Sequence, residues 1–341
     1  NGPFQVALVS KDGVALDRSE TYWNKAAVRL DGVRFVAKES AESALDAYRK
    51  GELDAVTNAE LEPLAVKLLA PYEDFRQVRH SAVNLYEVNL KNAPFSDRRV
   101  REALAIAIDR DKLIDSELEG ATEPANTLLP LGSDQRNALV FDAVRARGLL
   151  ENAGFPDGSG FPPIRLVVNR NDMQQRVART IAQMWRQHLN IETQIAVTET
   201  AAMTATRTDG QYDLIRRGVV LPTADELSGL TSILGSVERR PEAAPITVPL
   251  QVKPSPMLPM SGPAAAETEV VPDIPKADSP APLITATEAM HDLTVIPLYF
   301  PVSYALIKPY VQGFDLNGLD AISLRDVSIN SEWKPEARNG R

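Results

Sequence analysis

Cysteine is absent from all 341 residues. Its absence excludes disulfide frameworks, thiolate zinc sites and thiol nucleophiles together. It leaves the compartment open, because exported proteins also do without cysteine. Basic residues are in deficit, 37 Lys plus Arg against 46 Asp plus Glu, for a net charge of -9. That balance argues against a nucleic-acid partner held by phosphate neutralisation and against an anionic membrane surface. No stretch reaches the roughly 18 apolar residues that a membrane-crossing helix needs. Histidine is confined to His80, His188 and His291, none with a second histidine at helical ligand spacing, so the sequence offers no metal site and implies no cofactor. No Gly-rich loop ending in Lys-Ser or Lys-Thr is present. Gly158-Ser159-Gly160 sits in a Pro-flanked turn without the strand-to-helix elbow of a hydrolase nucleophile, and Glu60 and Glu62 read as solvated acids. An enzyme is therefore not expected. The chain opens at Asn1-Gly2-Pro3-Phe4, without Met or an apolar leader, which reads as a processed product or a fragment.

Glycine numbers only 18 against 25 prolines, and the prolines crowd between Glu238 and Leu283. Each fixes its own φ and pushes its predecessor out of the α region, so this segment is expected to be an extended or disordered connector. Elsewhere the pattern is α/β. Val33 to Lys38 reads as a strand, Ser40 as the cap of a helix carrying Ala44, Leu45 and Tyr48, and Leu53 to Val56 as the next strand, giving a β-α-β unit. One helix is expected from Asp97 to about Ile114, capped by Ser96, and another from Phe141 to Ala153, closed by Gly154. The clearest unit is Ile164 to Val197: a strand, a helix capped by Asp172 and bearing Val177, Ile181, Met184, Trp185 and Leu189, and an alternating strand from Ile191. This spacing predicts a right-handed parallel crossover. His188, on that helix, reads as a boundary residue.

The run Leu85-Tyr86-Glu87-Val88-Asn89-Leu90-Lys91-Asn92-Ala93-Pro94-Phe95-Ser96-Asp97-Arg98-Arg99-Val100-Arg101-Glu102-Ala103-Leu104 resembles the extracellular solute-binding proteins of family 5, the peptide-binding components of ABC importers. Further similarities follow in the family's order: Gly2-Pro3-Phe4 with Tyr22-Trp23-Asn24, Gly51-Glu52-Leu53-Asp54, Leu149 to Phe155, Tyr212-Asp213-Leu214, Val295 to Phe300, and Lys308 to Phe314.

The resemblance implies a type II periplasmic-binding-protein-like fold of two α/β lobes about a hinge, with the N-terminal part of the first lobe and an extra subdomain missing. By motif order, residues 1–88 would be the C-terminal part of the first lobe and 89–237 the second lobe. Residues 238–283 would be a Pro-rich linker or insertion, 284–305 the second-lobe return and hinge, and 306–341 a tail rejoining the first lobe. It further implies a periplasmic or extracytoplasmic location, membrane permease subunits as partners, and a peptide or small anionic ligand. A first-lobe remnant would expose apolar sheet surface for the missing segment or another chain to cover.

Carried over by position, the implied ligand residues are Glu87 in the Tyr-Glu strand and Arg207 and Arg216 flanking Tyr212-Asp213, arginine being suited to gripping a carboxylate. The alternative for each is pairing with neighbouring carboxylates. Peptide binders follow that strand with Trp-x-Ala-Asp, whose Asp holds the ligand ammonium; here Val219-Val220-Leu221-Pro222 stands instead, and Asp225 and Glu226 are the nearest acids. An unanswered buried ammonium costs on the order of 3–5 kcal/mol. A cleft histidine of the family appears as Gln174. These departures motivate a second expectation: a degenerate scaffold co-opted as a structural or interaction module without a transport role.

Overall fold

The computed structural model describes residues 2–57, 61–130, 138–235, 283–319 and 323–333. The expected Pro-rich connector, apart from Leu283, lies outside the described residues.

Three strands open the chain as an antiparallel meander: β1 (Phe4–Ser10), β2 (Gly13–Arg18) and β3 (Gly32–Val36). Gly13 is obligatory in the turn, with φ at 146°, because a Cβ there would lie 1.9 Å from the Phe35 carbonyl oxygen. Strand alternation stacks Val6, Leu16 and Val33 in one cross-strand row, and Val9, Val14 and Phe35 in another on the same face. That face is open, with Val6, Val9 and Phe35 64%, 68% and 49% exposed.

Helix α1 (Ala41–Arg49) follows, started by reciprocal Ser40 and Ser43 bonds and ended at Gly51 in the left-handed region. Next come β4 (Ala55–Thr57), α2 (Pro63–Leu69), β5 (Phe75–Arg79) and β6 (Ala82–Val88). The expected β-α-β unit is not formed. β3 is taken by β2, while β4 pairs with β12 (Val302–Ile307), so the strands flanking α1 belong to different sheets.

The single helix expected from Asp97 is two: α3 (Arg98–Ile106), capped by Asp97 rather than Ser96, and α4 (Arg110–Glu117), capped by Asp109. The Asp109 carboxylate accepts from the Lys112 amide at 3.0 Å, a local bond that competes with helix continuation. Buried Arg110 makes the break tolerable by donating to the Ala105 and Ile108 carbonyls that the interrupted helix leaves open, and to Pro297 across the core.

Strand β7 (Glu123–Pro124) and helix α5 (Ala143–Asn152) precede the expected crossover, which is observed: β8 (Ile164–Asn169), α6 (Asp172–Leu189) and β9 (Thr193–Thr198), with β8 and β9 parallel. Asn171, one residue before the expected Asp172, caps α6. The remaining elements are α7 (Met203–Asp209), β10 (Leu214–Val220), α8 (Glu226–Leu234), α9 (Ala286–Asp292), β11 (Val295–Phe300), β13 (Val311–Gln312) and β14 (Ser328–Ile329).

The main sheet has the order β7-β11-β6-β10-β8-β9; β4-β12-β5 forms a second, smaller sheet. Helices pack on the main sheet around Trp185, which is fully buried and donates its indole N–H to the Leu104 carbonyl at 2.9 Å. Among the described residues the chain crosses between these two sheets through His80–Ser81, from β5 to β6, and through Pro301, from β11 to β12. The crossings adjoin: the His80 amide donates to the Pro301 carbonyl at 2.9 Å. β6 pairs with β10 along its length and with β11 from Asn84 to Glu87, so residues 82–88 lie in the main sheet.

Core and meander should respond differently to substitution. Leu104→Ala should cost about 3 kcal/mol in urea unfolding, and Val9→Thr no more than about 0.5 kcal/mol.

Candidate functional site

The register of β10 against β6 divides the polar residues of the main sheet. Arg216 stands opposite Tyr86 and Gly218 opposite Asn84; Ile215 stands opposite Glu87 and Arg217 opposite Leu85. Arg216, Tyr86 and Asn84 thus share one face, and Arg217 and Glu87 the other.

On the first face the Arg216 guanidinium donates to the Asn84 side-chain oxygen and, at 3.5 Å, to that of Asn169, the last residue of β8. Gly218 makes room, since a Cβ there would lie 2.9 Å from a terminal guanidinium nitrogen. Beside it, the Gln174 amide in the first turn of α6 donates to the Tyr299 hydroxyl at 2.7 Å. Burial raises the Tyr86 and Tyr299 hydroxyl pKa values, and the nearby Arg216 charge opposes the rise. The Tyr86 hydroxyl and Arg216 Nε are buried without a protein hydrogen-bond partner. Among the described residues no carboxylate pairs with Arg216. Asn169 ends β8, and Asn84 and Tyr299 lie toward the end at which β6 and β11 cross to the smaller sheet, with Arg216 reaching toward them from the third position of β10. Ligands of open α/β sheets bind outside such strand ends.

On the second face Glu87 is the shared carboxylate of two arginines. It accepts from Arg207 Nε at 2.9 and 2.8 Å and from Arg217 at 2.7 Å, and the Tyr212 hydroxyl donates to it at 3.2 Å. Arg217 also donates to the Ile233 carbonyl in the last turn of α8, at 2.8 Å. Burial foremost, then the charge and hydrogen bond of Glu87, push the Tyr212 hydroxyl up to about 12.

Of the expected ligand residues, Glu87 and Arg207 come together as an ion pair, while Arg216 lies across the sheet from them. Asp225 caps α8 by accepting from the Ser228 amide at 2.8 Å, and Glu226 accepts from the Ala286 amide at the start of α9, also at 2.8 Å. Arg217 escaped sequence reasoning although a signal was present: adjacent arginines in a strand must point to opposite faces, so only one of the pair can share a face with Glu87. The amide residues Asn84 and Asn169 carried no sequence signal.

Residues 1–240 match the profile of the bacterial extracellular solute-binding proteins, family 5 (Middle). The chain belongs to this family. As a family 5 chain it is 25% identical over 323 residues to the periplasmic oligopeptide-binding protein OppA of Escherichia coli K12, an alignment covering 90% of the chain and 56% of that relative. It is 24% identical over 347 residues to the probable deoxycholate-binding periplasmic protein YgiS of the same organism, covering 97% of the chain and 61% of the relative. Among solved structures, it is similar to the periplasmic oligopeptide-binding protein OppAIV of Borrelia burgdorferi, with a TM-score of 0.62, 23% identity, and 96% of the chain and 64% of that chain covered. HbpA2 of Haemophilus parasuis gives a TM-score of 0.70 at 15% identity, with the same coverage. The fold is the type II periplasmic-binding-protein-like fold, and this chain spans less than two thirds of the length of these relatives and solved structures.

Two measurements probe the Glu87 face. Glu87→Gln should lower stability by about 1–3 kcal/mol in urea unfolding, more than Arg207→Ala, because it leaves two guanidinium groups unanswered rather than one carboxylate half-served. Tyr212 has a folded-state pKa near 12, above its ordinary 10.0, so its contribution to stability is complete below pH 10 and is lost as pH rises toward 12. Tyr212→Phe should flatten that part of an alkaline stability profile.

Proposed function

We propose that the chain is the substrate-binding part of an ABC-type uptake system, taking an oligopeptide or related anionic solute between its two lobes. The observation that carries this reading is Arg216: a guanidinium on the main sheet, oriented by Asn84 and Asn169 and paired with no carboxylate among the described residues. A cation so placed is complementary to the carboxylate of a bound peptide. The two adjacent crossings at His80–Ser81 and Pro301 supply the hinge about which the lobes close on the ligand. Kinship with an oligopeptide-binding protein and with a probable deoxycholate-binding one supports a ligand class whose common element is a carboxylate.

Arg216 is assigned the ligand anion. Glu87 and Arg207, with Arg217, set the charge of the opposite face. Asp225 and Glu226 would reach a ligand ammonium only by releasing the Ser228 and Ala286 amides. Membrane permease subunits are the further partners, and an extracytoplasmic location fits the periplasmic relatives. No helix of the described residues is long and apolar enough to cross a membrane. The open apolar face of β1, β2 and β3 supports completion of the first lobe by further polypeptide.

Calorimetric titration of the chain with short peptides bearing a free C-terminal carboxylate tests the reading. Binding heat is expected, with affinity falling about tenfold or more in Arg216→Gln, equivalent to about 1.4 kcal/mol. Equal or absent heat from both proteins would remove Arg216 from the site.

A further inference from the structure

Arg216 is braced by side-chain amides, whereas several arginines around it meet acids and buried Arg110 meets backbone carbonyls. Arg207 and Arg217 are answered by Glu87, Arg165 by Asp213, and Arg79 by Glu123. Arg216 alone of these sheet-associated arginines is instead held through the side-chain oxygens of Asn84 and Asn169, which are only 7% and 8% exposed. Aspartate has almost the shape of asparagine and would orient the fork equally well, but its full negative charge would cancel that of the guanidinium. An amide oxygen supplies direction with only a dipole and leaves the whole charge outstanding.

Donor bookkeeping on this face points the same way. Arg216 Nε and the Tyr86 hydroxyl are buried without partners, and Gln174 already donates to the Tyr299 oxygen, leaving the Tyr299 proton for another acceptor. Arg216 Nε can only donate, and the Tyr86 and Tyr299 hydroxyls can each donate, so a negatively charged acceptor would complete them.

We infer that Asn84 and Asn169 are charge-preserving positioning residues: they aim Arg216 while keeping its positive charge available, so that the site selects a carboxylate over its neutral amide or ester. The inference rests on the ligand-binding reading above and assigns these two residues the setting of its charge preference. Neither need touch the ligand; both act through Arg216.

The test is calorimetry on the full chain with one peptide in two forms, free acid and C-terminal amide, for the wild type, Asn84→Asp, Asn169→Asp and Arg216→Gln. The wild type should favour the acid. Asn84→Asp should reduce that preference by about tenfold or more, by weakening the acid and sparing the amide, while its urea midpoint stays at or above that of the wild type because an ion pair has been added. Asn169→Asp should act in the same direction and more weakly, its bond to Arg216 being the longer, and it provides a second reading should Asn84→Asp fold poorly. A loss of packing alone would weaken both peptide forms together and leave their ratio unchanged. If the wild type favours the acid and Arg216→Gln abolishes the preference while both aspartate variants retain it, the role of the amides is overturned and the ligand-binding reading stands. If the wild type shows no preference and no dependence on Arg216, both fall.

Discussion

β6 pairs with β10 along its whole length, from Val88 opposite Leu214 to Ala82 opposite Val220, and on its other side with β11. Nearly every side chain it carries is buried, so its register is held by packing on both faces of the main sheet. Much of the chemistry depends on this pairing. A slip by one residue would exchange the faces of Arg216 and Arg217, bringing Arg216 to Glu87 and Arg217 to Asn84. The charge left without a carboxylate would then sit on a different side chain.

The same strand controls how the two sheets connect. At its start the chain turns back into β5 through His80 and Ser81, and at the end of neighbouring β11 it passes through Pro301 into β12. Two short crossings side by side form a narrow joint. Arg79 anchors it, donating to the Pro130 carbonyl at 2.7 Å, pairing with Glu123 and lying over the Phe300 ring. Arg216 is left without a carboxylate among the described residues, whereas the Glu87 group is neutralised largely within its own face.

Much of the fold was legible locally. Ser40, Gly51 and Gly154 mark helix ends where capping chemistry predicts them, and the alternation from Ile164 to Val197 describes a parallel crossover that the structure contains. The errors also have physical causes. The apolar stripe continues through Ala107 and Ile108 and so hides the break at Asp109, which is stabilised from outside by Arg110 bridging to Pro297, a residue 187 positions away. The strands flanking α1 look like partners because periodicity reports that each is a strand, not which neighbour it chooses. The candidate site was half legible: Glu87, Arg207 and Arg216 stand out by resemblance, but their division between faces depends on long-range pairing.

By itself, then, the sequence determined the α/β class, most helix and strand positions, the family and the arginines worth examining, because capping, periodicity and motif order are carried by residues near one another in the chain. Only the tertiary structure decided which arginine is answered by a carboxylate and which is not. Arg207 meets Glu87 across 120 positions of chain, and Arg216 meets Asn84 across 132. Contacts of that separation arise from sheet register and core packing, which no local pattern encodes.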